Sequence, residues 1–273
     1  MSEQISVVIR TKDSAETLSD CLNSLEQQTQ AIHEIVVVDS GSSDGTLEIA
    51  SQFRCKVVAY PSGISFNYSK SLNLGIEQTS GDYVFILSSH SIAQNRNSLK
   101  WLLRCLEVHP NAPGCSLNKS LQSCEPVTSF DALQIEIVDR HNFRGSALSN
   151  TACLIRRRAW LERRYDETIA TAEDIDWSLY YMKQHDQSML RVTNDFVHYR
   201  NPVYSVKKDI LELLYVAKLH YPRGRSWRRF VFELRSGLQL LFRDQAKAKP
   251  HLLYAYYLLL DRTIGIKRHT IPR

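Results

Sequence analysis

Two hydroxyls and an imidazole close one apolar run of this chain, and they carry its first chemical signal. Tyr83-Val84-Phe85-Ile86-Leu87 follows the turn Gly81-Asp82 and is rich in aromatic and β-branched residues, so it reads as a buried strand. It ends in Ser88-Ser89-His90, side chains able to hydrogen-bond a ligand or hold a cation. Ligands of open parallel sheets sit beyond the carboxyl ends of strands, which puts this tip at the floor of a site. A histidine satisfied within a surface loop is the plainer alternative. Asp39 closes a second run, Ile35-Val36-Val37-Val38. Its carboxylate can accept hydrogen bonds from a nucleobase imide or a ribose hydroxyl, and a ligand at the neighbouring tip could hold a divalent cation bridging a diphosphate. Asp39-Ser40-Gly41 equally suits an ordinary turn. The Gly41–Gly45 segment lacks both the GxGxxG pattern and the Walker lysine.

The elements that must position these tips alternate along the chain. Strands are expected at 5–9, 35–38, 56–60 and 83–87. Helices are expected from Ser14, from Thr46, over 66–78 and over 95–108, the first carrying Leu18, Cys21, Leu22 and Leu25 at helical spacing. This alternation predicts an α/β fold, a Rossmann-like, mostly parallel sheet flanked by helices. Residues 109–130, rich in Pro, Ser, Asn and Cys, read as irregular. Residues 143–157 read as a loop leading into a strand, and Phe196–Tyr199 as a short strand or its exit. Ala172-Glu173-Asp174-Ile175-Asp176-Trp177 opens a helix to about residue 184, its acids at the positive end of the dipole. Trp177 suits either a sugar-stacking face or the core. Beyond Asn201-Pro202 the pattern changes to helical stripes with basic residues between them, so a boundary is expected near 204, separating 1–204 from a C-terminal basic helical region, 205–273.

Composition narrows the class. The chain has 273 residues, 43% hydrophobic and 23% charged, as in ordinary globular proteins. No apolar run reaches the roughly 18 residues of a spanning helix, and no signal peptide is expected. Six cysteines without CxxC spacing point to free thiols and a cytoplasmic, reducing setting. The net charge of +5 divides into +10 from Lys218 onward and −5 before it. The tail therefore reads either as a solvated helical face or as a surface for an anionic partner. No nucleic-acid motif is present, and no nucleic-acid partner is expected.

Several motifs in fixed order resemble family 2 glycosyltransferases. They are Ser6-Val7-Val8-Ile9-Arg10-Thr11-Lys12-Asp13, then Asp39-Ser40-Gly41-Ser42-Ser43-Asp44-Gly45-Thr46, then Phe66 to Gly75 leading into Gly81-Asp82-Tyr83, then Ser149-Asn150-Thr151-Ala152-Cys153, and last Glu173-Asp174. The resemblance covers about residues 4–204. It implies a GT-A fold, a nucleoside-diphosphate sugar as donor and transfer with inversion. It places Thr11 and Asp39 in the nucleoside pocket, Lys70 near the donor phosphates, and Ser88 and Ser89 at the donor site. It also implies Asp174 as general base, with Glu173 orienting the acceptor.

One departure is evident: Ser88-Ser89-His90 stands where that family usually has Asp-x-Asp. The resemblance then leaves His90 and, late in the fold, His198 as nitrogen ligands for a divalent ion (Mn2+ or Mg2+), with a metal-independent enzyme as the other possibility. The Gln-x-x-Arg-Trp signature of processive synthases is absent, which implies transfer of one sugar to a glycan or lipid-linked glycan, as in polysaccharide biosynthesis. The basic C-terminal stripes leave two readings open, peripheral attachment to anionic lipid or a helical subdomain packed on the catalytic domain. Two rival functions follow from the residues: an impaired sugar-nucleotide-binding protein, and an anionic-surface module acting through the tail.

Overall fold

The computed structural model describes residues 3–122, 125–143, 147–169 and 171–200, together with 232, 235 and 236. The chain forms two compact units, one of residues 1–167 and 173–201, the other of 168–172 and 202–273. The boundary expected at 204, and the helical stripes after it, lie outside the described residues.

In the first unit the alternation expected from the sequence is present. Strand β1 (Ile5–Thr11), helix α1 (Ala15–Glu26), β2 (Glu34–Asp39), α2 (Thr46–Gln52), β3 (Lys56–Ala59), α3 (Tyr68–Glu77) and β4 (Tyr83–Ser88) follow in turn. Strands β3, β2, β1 and β4 lie side by side and pair in parallel. The crossover helices cover both faces, which is why β1, β2 and β4 are continuous apolar runs rather than alternating ones. One core packs Val7, Ile9, Phe85 and Leu87 under α1 and α4 (Ser98–Val108). The other packs Val8, Val36, Val38, Val84 and Ile86 under α3 and the aromatic residues Trp160, Trp177 and Tyr181.

The second half of the sheet departs from expectation. Residues 109–130 contain a buried strand, β6 (Gly114–Ser120), between β8 (Ala152–Arg156) and β9 (Met189–Tyr199). Ser and Asn are weak strand formers on average, and the strand opens on a glycine that its neighbours crowd. A Cβ on Gly114 would lie 2.9 Å from Leu148 Cδ1 and 3.1 Å from Ile155 Cγ2. β9 runs from 189 rather than 196, and it also carries the short strands β5 (Ser91–Ala93) and β7 (Ile135–Val138) as antiparallel neighbours. Helices α5 (Arg157–Glu162) and α6 (Glu173–Gln184) complete the unit. The result is an α/β fold with a large, mostly parallel sheet flanked by helices.

Candidate active site

The carboxyl ends of β1, β2 and β4 form one edge of the sheet. Thr11 is in register with Asp39, and Arg10 with Ser88. Asp39 and Ser88 are therefore not neighbouring tips, as the sequence reading had them: β1 lies between them, and Thr11 sits opposite Asp39. Thr11 Oγ1 is buried without a hydrogen-bond partner, an unused donor at the expected nucleoside wall.

Asp39 is 6% exposed and builds its own turn, accepting from the N–H groups of Gly41 at 3.0 Å and Ser42 at 3.1 Å and from the Ser42 hydroxyl. An ionised carboxylate has about four lone-pair sites, so some acceptor capacity remains for a base. The rest of this motif staples two helix starts. Asp44 accepts from the N–H of Ala15 at 2.9 Å, and Thr46 Oγ1 accepts from the N–H of Ser14 at 2.8 Å. Gly45 precedes α2 at φ 91°, a left-handed conformation suited to glycine.

At the tip of β4 the three polar residues separate. Ser89 is 2% exposed and bonds Ser14 Oγ at 3.0 Å, so it faces the interior rather than the edge. Ser88 and His90 are partly exposed. Thr17 on α1 holds His90 Nδ1 at 3.1 Å, and burial lowers the imidazole's pKa, keeping the ring neutral at pH 7. β5 and β9 bring the second histidine to the same ladder, with Ser91 opposite Tyr199 and Ile92 opposite His198, while the Arg200 N–H donates to the His90 carbonyl at 2.8 Å. Among the described residues, no three His, Cys, Asp or Glu side chains converge on a common point. The β4 tip supplies an imidazole and a hydroxyl but no carboxylate, so these residues do not fit the oxygen-rich site of a hard divalent ion.

The acidic pair lies at the start of α6. Glu173 is 6% exposed, and its Oε1 accepts from Arg10 Nη1 at 3.1 Å and from Asn150 Nδ2 at 3.1 Å. Asp174 Oδ2 accepts from the Asn150 N–H at 3.1 Å. The next residue, Thr151, accepts the Ser88 N–H at 3.0 Å, so one loop joins the β4 tip to the carboxylate pair. Lys70 on α3 pairs with Glu167 at 3.5 Å, a half-exposed ion pair worth at most about 1 kcal/mol and therefore easily exchanged for a phosphate. Trp177 belongs to the core: it is fully buried, donates from Nε1 to the Arg163 carbonyl at 2.6 Å and packs on Tyr181. The sugar-stacking reading of Trp177 is thereby corrected.

Arg10 and Asn150 were not expected at the site. Asn150 lies inside the Ser149–Cys153 motif, to which no task was assigned from the sequence. Arg10 had a signal of its own: it interrupts the inward row Ser6, Val8, Arg10 of a buried strand, and a charge there demands a counter-charge.

Residues 6–115 match the family model described as Glycosyl transferase family 2. Over 82 residues the chain is 40% identical to glycosyltransferase AglE of Haloferax volcanii, covering 28% of this chain and 27% of that one. Over 111 residues it is 30% identical to poly(ribitol-phosphate) beta-N-acetylglucosaminyltransferase TarS of Staphylococcus aureus, covering 39% of this chain and 19% of that one. The chain thus spans about a quarter and a fifth of these relatives. Among solved structures, the mannosyltransferase PcManGT from Pyrobaculum calidifontis in complex with GDP-Man and Mn2+ superposes with a TM-score of 0.66 at 13% identity, over 97% of this chain and 87% of that one. S. aureus TarS 1-349 in complex with UDP-GlcNAc gives a TM-score of 0.56 at 19% identity, over 94% and 81%. The fold is one shared with GT-A glycosyltransferases, and residues 6–115 match glycosyl transferase family 2.

Proposed function

We propose that the protein is an inverting glycosyltransferase that moves one sugar from a nucleoside diphosphate to a glycan or lipid-linked glycan hydroxyl. The observation that supports this most is the Asn150-Thr151 loop, which hydrogen-bonds the β4 tip on one side and Asp174 on the other. A donor lying along the edge, with its base near Thr11 and Asp39 and its diphosphate near Ser88 and Lys70, would present its anomeric carbon toward Asp174.

In that arrangement Asp174 accepts the proton of the acceptor hydroxyl as its oxygen attacks the anomeric carbon. A new C–O bond forms on the face opposite the leaving group. The old C–O bond breaks, and its electron pair leaves with the nucleoside diphosphate. Lys70, released from Glu167, compensates charge on that leaving group. Ser89 has no part in this reading, because its hydroxyl is spent on Ser14. A borderline divalent ion such as Mn2+, rather than a hard one, would take nitrogen ligands from His90 and His198 in the donor complex. The basic segment after residue 204 is the proposed attachment to an anionic surface.

The test is nucleoside-diphosphate release by the full chain over a panel of nucleotide sugars, with and without Mn2+, alongside thermal shifts with the same donors. Asp174→Asn should lower transfer by at least about a hundredfold while the donor's thermal shift persists. A chain that binds a nucleotide sugar yet never releases the diphosphate with any metal is the impaired binding protein instead.

A further inference from the structure

The Arg10–Glu173 pair connects β1 to the start of α6, and its surroundings say what it is for. Both side chains are largely withdrawn from water, at 16% and 7% exposure, and Nη1 lies 3.1 Å from Oε1. The guanidinium also stacks over the Tyr68 ring, 4.9 Å from its centroid, which fixes its plane. Asn150 divides its two donors between the acids, Nδ2 to Glu173 and the backbone N–H to Asp174. Its Oδ1 is fixed in turn by the Tyr165 hydroxyl at 3.2 Å and the Cys153 thiol at 3.4 Å. Burial pushes both of those groups well above their ordinary pKa values, with Asp174 and Glu173 adding to the rise and Arg10 opposing it. They are neutral at physiological pH, so the charges that meet here among the described residues are one cation and two carboxylates. Asp176, one turn on, is occupied by Arg163 at 3.3 Å.

Glu173 is buried and Asp174 beside it is half-buried, so an uncompensated charge on the first would disfavour the anion of the second. We propose that Arg10 is a positioning residue for proton acceptance by Asp174. Its guanidinium compensates Glu173, and through their shared partner Asn150 it holds Asp174 as an oriented anion. This rests on the reading of Asp174 as the base. The inference carries a pair of opposite signs. Removing Arg10 leaves Glu173 as an uncompensated neighbour and raises the pH at which Asp174 loses its proton. Removing the Glu173 charge leaves Arg10 unopposed and lowers it.

The experiment is the pH profile of kcat/KM for wild type, Arg10→Gln, Glu173→Gln and the double variant. Arg10→Gln should move the acidic limb up by about one pH unit, so that kcat/KM falls by about tenfold at pH values below the wild-type limb. Glu173→Gln should move the limb down, and the double variant should return it to the wild-type position. Arg10→Lys should restore part of the shift, since it keeps the charge without the fork. An unmoved limb in Arg10→Gln, or a double variant that stays shifted, overturns the proposal. So does a rise in donor KM alone, which would make Arg10 a phosphate ligand. Should Arg10→Gln fail to fold, the downward shift in Glu173→Gln and its reversal in the double variant decide the matter. Titration of the Asp174 carboxyl by 13C NMR, assigned with Asp174→Asn, reads the same shifts without turnover. Wild-type transfer by Asp174→Asn would instead sink the base assignment, a result distinct from an unmoved limb in an enzyme that needs Asp174.

Discussion

His90 has one ring nitrogen committed to Thr17, and its ring stands nearly perpendicular to the Tyr199 ring, 6.3 Å away between centroids. Burial holds its pKa below the ordinary value, so the neutral ring can donate to a donor phosphate or ligate an ion, but it brings no charge. His90→Ala should lower donor turnover by about tenfold or more, in keeping with the loss of one positioned polar contact. Steady-state kinetics with and without Mn2+ would measure this, and near-normal turnover removes His90 from the mechanism. Residue type alone was an uneven guide here. Ser88, Ser89 and His90 looked alike as a polar tip, yet Ser89 points into the protein against Ser14. Asp39 looked like a ligand carboxylate and spends much of its capacity on its own turn. Glu173 and Asp174 were legible from their place at a helix start, whereas the arginine that pairs with Glu173 is 163 residues away in the chain. No local spacing announces such a contact.

At the scale of elements, the N-terminal half was legible because its physics is local. Apolar runs of strand length, each followed by a helical stripe, leave few alternatives to a parallel sheet. β6 was hidden because its small polar residues answer to neighbours that arrive from β8 and β9, far along the chain. Gly75 shows the same pressure inside a helix that was foreseen. A Cβ there would lie 2.5 Å from Val8 Cγ1 and 2.8 Å from Val38 Cγ2, so α3 sits on β1 and β2 at a distance only glycine permits. Gly75→Ala should cost about 1–3 kcal/mol through overpacking, although alanine is the better helix former by about 1 kcal/mol. Because α3 carries Tyr68 and Lys70, the same change should weaken donor binding. Urea denaturation checks the first effect and donor thermal shifts the second; unchanged stability would mean that α3 can ride higher on the sheet.

The molecule as a whole divides its charge: +10 from Lys218 onward against −5 in the remainder. Among the described residues no helix is long and apolar enough to cross a membrane. Arg225, Arg228, Arg229, Arg235 and Arg243 alternate with Trp227, Phe230, Leu234, Leu238 and Leu241, a pattern that offers both charge and apolar area to an interface. Each basic residue near an anionic leaflet contributes about 1 kcal/mol, and the attraction dies within a Debye length of about 10 Å at 0.1 M salt. The full chain should therefore co-sediment with phosphatidylcholine vesicles containing phosphatidylglycerol and not with phosphatidylcholine alone. Raising salt toward about 1 M should release it, since the screening length then falls to about 3 Å. Reversing three charges together, Arg225→Glu, Arg228→Glu and Arg229→Glu, should weaken vesicle binding by at least about a hundredfold while leaving nucleotide-sugar thermal shifts in place. Binding that ignores both salt and anionic lipid would make the tail a packing surface, and the acceptor would then have to reach Asp174 from solution.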